Sequence, residues 1–289
     1  MSSKSFLFSM FVMLVAIVAT PQNMQASEEL AEQSFVHKTV DGQDLSIDMI
    51  APLGPMTGLQ RPAVVFFHGG GWVGGKPGQF KSHSRYLAQK GIVCFMAQYR
   101  LLDRKSDDPP VICINDAKSA MRWVRSRAEK FGLDPNRIAA GGGSAGGHLA
   151  ATVGMIEGID DPKDDLSVSP KANALLLFNP VYNNGPDNGW GQKRVKEDYA
   201  KYSPAHNITA DDPPAIVFLG SQDKLIPVSV AEDFQKQMQD LNLLSELHIY
   251  EGAGHGFFNT GRRSETGMSY YEDTIKKTEA FLKKVGWIE

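Results

Sequence analysis

From residue 62 onward, short uninterrupted apolar runs alternate with stretches whose apolar residues recur at helical spacing. Residues 63–67, 92–97, 138–140, 174–178, 215–219 and 247–250 read as strands; 79–89, 111–130, 144–155, 229–241 and 269–285 read as helices. A wholly apolar strand suits burial on both faces, and strand–helix alternation requires crossover connections. Together these predict an α/β fold with a mostly parallel central sheet and helices on both faces. In such sheets ligands bind beyond the carboxyl ends of the strands, so reactive residues are sought just after each strand. An antiparallel hairpin is expected ahead of this frame, over 35–40 and 45–50, around the Asp41-Gly42 turn. The polar, aromatic stretch 183–208 reads as a small insertion over the sheet's edge.

Lysine plus arginine number 30 against 33 acidic residues, a net charge of −3. That balance lacks the basic field that nucleic-acid binding needs, so no nucleic-acid partner is expected. Two cysteines make neither a disulfide framework nor a zinc pattern. Lys4, an apolar run from Phe6 to Thr20 and a polar stretch ending near Ala26 describe a secretory signal over 1–26, with residues 27–289 as one catalytic domain. The run is shorter than the roughly 20 apolar residues of a membrane span. The expectation is therefore a secreted or periplasmic protein with no stable membrane anchor after cleavage. Export would permit a Cys94–Cys113 bridge; two buried thiols are the favoured reading.

Gly142-Gly143-Ser144-Ala145-Gly146 sits at a strand-to-helix junction. A sharp turn there lifts the serine hydroxyl above the sheet, and the flanking glycines let strand and helix approach closely. No Gly-Lys-Ser/Thr follows, so a phosphate loop is disfavoured. His68-Gly69-Gly70-Gly71-Trp72 follows the strand 63–67. Its backbone N–H groups suit the negative charge that builds on a carbonyl oxygen during acyl transfer, with Ala145 N–H as a second source. A serine needs a base. His255, in Gly252-Ala253-Gly254-His255-Gly256, stands on a loop just after the last strand, whereas His148, four residues beyond Ser144, reads as a packing residue in a helix. The acid that orients the imidazole is assigned to Asp223, which follows the strand 215–219 and keeps the order Ser…Asp…His. Asp116, inside a helix and ahead of the serine, and Asp187 are its competitors.

These residues together resemble the α/β-hydrolase superfamily. Within it, His68–Trp72 with Gly142–Gly146 resembles the hormone-sensitive-lipase-like esterases and the related carbohydrate acetyl esterase-like and feruloyl esterase-like proteins. Tyr99-Arg100-Leu101 and Asp116-Ala117 with Arg122-Trp123-Val124 are similar to stretches of the same esterases. The resemblance implies an α/β-hydrolase fold with the insertion over the active site. It implies Ser144, Asp223 and His255 as a triad, and the N–H groups of Gly70, Gly71 and Ala145 as the oxyanion hole. Where lipase-like members continue the Tyr-Arg-Leu segment with Ala-Pro-Glu, this chain has Leu102-Asp103-Arg104, and little chain is left for a helical cap. Both departures argue against long-chain lipids and for short acyl groups, including acetyl on carbohydrates. Tyr202-Ser203-Pro204 ahead of Pro213-Pro214 looks like the secreted carbohydrate-esterase relatives.

Trp72 and Trp190 are candidate substrate-binding residues; for Trp190 the competing reading is packing of the insertion. The acidic stretch Glu157, Asp160, Asp161, Asp164 and Asp165 lacks calcium-loop spacing and reads as a solvated loop. The partner expected is a small ester or acylated carbohydrate, with no metal or organic cofactor; the oligomeric state is left open. A prolyl-oligopeptidase-like serine peptidase and a non-catalytic binding protein on a hydrolase scaffold are the alternatives.

Overall fold

The computed structural model describes residues 30–54 and 58–289, so the expected leader over 1–26 lies outside the described residues. Eight strands, β1 (Leu30–Val40), β2 (Gln43–Pro52), β3 (Arg61–Phe67), β4 (Val93–Ala97), β5 (Leu133–Gly143), β6 (Ala174–Phe178), β7 (Ala215–Gly220) and β8 (Ser245–Tyr250), form one sheet. Their order is β1-β2-β4-β3-β5-β6-β7-β8. β1 and β2 form the expected hairpin, longer than its apolar core, and β2 also pairs antiparallel with β4. The six strands from β4 to β8 are parallel.

The apolar runs are explained by the strand period of two. On β3, Ala63, Val65 and Phe67 enter one core, while Val64 and Phe66 enter the other. On β6, Leu175 and Leu177 oppose Ala174, Leu176 and Phe178 in the same way. The first core is covered by α2 (Val111–Arg125), α4 (Ala145–Met155) and α6 (Val228–Asp240), the second by α1 (Lys81–Ala88) and α7 (Tyr270–Lys284). Two four-residue helices complete the set, α3 (Ala128–Phe131) and, in the insertion, α5 (Gln192–Val195).

Two expectations are corrected and one is borne out. The helix expected over 111–130 breaks at Arg127, whose φ of −112° leaves the helical region before α3 begins. Cys94 and Cys113 are free, as favoured, because β4 turns Cys94 into the second core while α2 turns Cys113 into the first. Burial holds both thiols protonated, pushing Cys113 up to about 12. The acidic stretch is not simply solvated. Arg122 pairs with Asp160 at 2.6 Å and Asp164 at 3.2 Å, and Lys38 of β1 pairs with Asp161 at 2.7 Å. Cations distant in sequence draw these carboxylates against α2.

Candidate active site

The chain leaves β3 first to β4 on one side and then returns to β5 on the other, so β3 and β5 border the point where the winding reverses. A crevice opens at that point in doubly wound sheets. The glycine loop follows β3 and Ser144 follows β5, so both face it.

Ser144 adopts φ 56° and ψ −120°, a backbone region rarely taken by a residue with a side chain. Its N–H donates to the Phe178 carbonyl at 3.0 Å, and its own carbonyl accepts from His148 and Val181. The turn is feasible because Gly146 has no side chain: a Cβ there would stand 2.0 Å from the Phe67 carbonyl oxygen at the end of β3. α4 starts at Ala145, so the Ala145 N–H is one of the unpaired donors of a helix N-terminus. Among the described residues, no backbone acceptor meets the N–H of Gly70 or Gly71. Gly70 has φ 126°, and a Cβ there would lie 2.2 Å from the Gly74 carbonyl oxygen.

The structure brings the three expected side chains together. His255 Nε2 lies 2.9 Å from Ser144 Oγ, and His255 Nδ1 lies 2.7 Å from Asp223 Oδ2. The Asp223 side chain is fully buried, and its other oxygen accepts from the N–H groups of Leu225 and Ile226. Those bonds fix the carboxylate without neutralising it. The imidazole is partly exposed, reachable from the cleft. The competitors are engaged elsewhere. Asp116 takes both a guanidinium fork from Arg100 and Lys38 Nζ, and Asp187 is exposed on the insertion. His148 is buried, with Nε2 on the Tyr202 carbonyl at 2.7 Å, and burial lowers its pKa to about 4.

The two tryptophans divide. Trp190 lines the open cleft of about 600 Å³ together with Ser144, His255, Lys76, Leu225 and Phe258. Trp72 does not, which corrects the expectation of a site wall. Its φ of 63° turns the indole inward, where it is fully buried, edge-on to His148 at 4.9 Å and 5.0 Å from Trp190. Its carbonyl accepts from Leu102 N–H at 2.8 Å, so Trp72 holds the glycine loop from beneath.

Asn179 escaped the sequence reading. It is buried, has φ 35°, and follows β6 directly. Its Oδ1 accepts from Gly256 N–H at 3.1 Å, and its Nδ2 lies 3.3 Å from His255 Nε2. The available signal was its position at the carboxyl end of an apolar strand, where asparagine also tolerates a positive φ.

Family models for BD-FAE and for the dienelactone hydrolase family match residues 48–179 and 198–286. Esterase LipC of Mycobacterium tuberculosis is 31% identical over 223 residues, covering 68% of this chain and 53% of LipC. The chain thus spans about half the length of the curated relatives it matches. Esterase 2 of Thermogutta terrifontis, in a structure phosphoramylated by tabun, is 38% identical, with a TM-score of 0.82 over 89% of this chain and 96% of that one. The propionate-bound form of that esterase is 37% identical, with a TM-score of 0.81 over 89% and 95%.

Proposed function

The chain belongs to the α/β-hydrolase superfamily, among its hormone-sensitive-lipase-like esterases, and on that premise we propose that it is a serine hydrolase of short-chain carboxylic esters. The observation that carries this reading is the Ser144–His255–Asp223 line of contacts at 2.9 and 2.7 Å.

Ser144 Oγ attacks the ester carbonyl carbon while His255 Nε2 takes its proton. The Asp223 carboxylate keeps Nδ1 protonated and stabilises the imidazolium. The carbonyl oxygen, now negative, is met by the N–H groups of Gly70, Gly71 and Ala145, which are already oriented before the charge develops. The tetrahedral species collapses, the alcohol leaves with the proton from Nε2, and an acyl-serine remains. Water then attacks the acyl carbon and gives its proton to His255; the second tetrahedral species collapses, the acid departs, and Ser144 Oγ takes the proton back from Nε2. Apart from the ester and water, each step uses side chains and amides of this chain.

Trp190, Leu225 and Phe258 supply the apolar lining for a small acyl group, and the open side of the cleft suits a larger alcohol such as the carbohydrate of an acetylated sugar. Propionate is bound in one neighbouring esterase structure, which agrees with a small acid product. The leader over residues 1–26 argues for action outside the cytoplasm, secreted or periplasmic. The test is hydrolysis of nitrophenyl esters of graded chain length beside acetylated xylan, with Ser144→Ala as control. Turnover falling with chain length and abolished in the control is expected. A preference for long chains overturns the small-acyl assignment, and an unchanged rate in Ser144→Ala overturns the mechanism.

A further inference from the structure

The glycine loop leaves β3 near the middle of the sheet, while the histidine loop leaves β8 at its edge, four strand spacings away. At about 4.8 Å per spacing, the two loops start about 19 Å apart and must converge over Ser144. Nothing in the sheet itself sets their separation to the tenths of an ångström that acyl transfer needs.

We propose that Gln79 and Asn259 are positioning residues that lock the two loops together through one continuous chain of amide hydrogen bonds. Gly69 N–H donates to Gln79 Oε1 at 2.7 Å. Gln79 Nε2 donates to Asn259 Oδ1 at 3.2 Å, and Asn259 Nδ2 donates to the Gly256 carbonyl at 2.9 Å. Gly256 N–H in turn donates to Asn179 Oδ1 at 3.1 Å, and Asn179 Nδ2 faces His255 Nε2 at 3.3 Å. Every amide accepts on one side and donates on the other, so the dipoles align and each bond strengthens the next. The alignment also fixes each amide's orientation, because a backbone N–H stands at the Gly69 end and a carbonyl at Gly256.

Two consequences follow for the chemistry. Gln79 takes up the Gly69 N–H, so the loop presents those of Gly70 and Gly71 to the cleft. Asn259 and Asn179 grip Gly256 by its carbonyl and its N–H, which fixes the backbone beside His255. The rings next to the amide pair support it from below: Phe80 and Phe258 stack at 5.6 Å with 17° between planes. The ring pair is the hydrophobic anchor; the amide pair supplies direction.

The proposal rests on the esterase reading, and its test separates the two. Turnover of 4-nitrophenyl acetate is measured for wild type, Gln79→Met, Asn259→Ala and the double variant. Each kcat is divided by the sites titrated with a serine-directed phosphonate. Gln79→Met keeps length and packing but removes both polar ends; Asn259→Ala sits at a half-buried position and is the variant expected to fold with least disturbance. Each single variant is expected to lose about tenfold to a hundredfold in kcat, with KM within about twofold, as for a misplaced rather than a missing group. The double variant should be no more than about threefold slower than the slower single one, since the chain is broken once. Wild-type kcat per titrated site in both single variants, losses that multiply in the double, or a rise in KM alone overturns the proposal. Absence of turnover in the wild type would remove the esterase reading and this proposal with it.

Discussion

His148 and His255 both contact Ser144, the first only through its backbone N–H and the second through its imidazole, and their surroundings are opposite. His148 stands one helical turn along α4, walled in by Trp72 and capped by the Tyr202 carbonyl. His255 stands on the rim, with one nitrogen on Ser144, the other on a buried carboxylate, and one side open to the cleft. On the proposed mechanism the same side chain is thus a packing element in the floor and a proton carrier on the rim. The floor holds its histidine neutral by desolvation; the rim sets its histidine between a hydroxyl and a buried carboxylate. This difference shows that proximity in sequence to a nucleophile says little, and that burial together with hydrogen-bond partners decides the role.

The sharpest way to break this contrast is to exchange which region is damaged. His255→Ala should lower kcat by about 10⁴-fold or more, equivalent to roughly 5 kcal/mol of barrier, with thermal stability nearly unchanged. Asp223→Asn should follow closely, by about 10²- to 10⁴-fold, because the imidazole loses its fixed tautomer and the counter-charge for its protonated form. Steady-state kinetics beside a thermal melt checks both; an equal fall in melting temperature would mean that the rim is structural. Trp72→Ala should instead cost about 3–5 kcal/mol of stability through a cavity in the floor, read by urea unfolding.

The next effect is pH dependence of the floor. Burial lowers the pKa of His148 from 6.5 to about 4. Between those values the unfolded chain binds the proton and the folded chain does not, so stability falls as the pH drops from about 6.5 to about 4. His83, buried among rings of the second core and lowered to about 3, adds to the loss in the same direction. The His148 share amounts to about 3 kcal/mol at most. His148→Phe should flatten that part of the unfolding free-energy curve, and an unaltered slope would mean that His148 does not stay neutral in the fold. The smallest change is Trp190→Ala, which opens the cleft wall. A gain of about threefold to tenfold in kcat/KM for longer acyl esters relative to acetate is expected. An unchanged ratio would place the acyl group elsewhere.

The floor and the rim were not equally legible in the sequence. Strand positions were readable because a parallel strand buried on both faces has no polar gaps, as in residues 174–178. Ser144 and Asp223 could be picked out because each follows such a run, and His255 because it follows the last, half-exposed edge strand; their loops carry glycines or turn residues. Their mutual distances, however, appear only in the fold. Trp72 is not legible as a core residue, because a tryptophan behind a glycine loop reads as a wall. The positive φ that points it inward is a property of the whole turn, and no neighbouring residue announces it. Gln79 and Asn259 lie 180 positions apart and meet only through the packing of Phe80 on Phe258. The acidic stretch 157–165 looked solvated because the cations that bind it sit on β1 and α2.

The central claim is that Ser144 on the turn after β5 is a nucleophile activated by the rim histidine. It is tested most directly by treating the folded protein with a nitrophenyl phosphate triester and locating the adduct by peptide mass spectrometry. One phosphoryl group per chain on Ser144, released nitrophenol in equal amount and no adduct in His255→Ala over the same time is the predicted result. An unmodified Ser144, or labelling that proceeds as fast without His255, would contradict it.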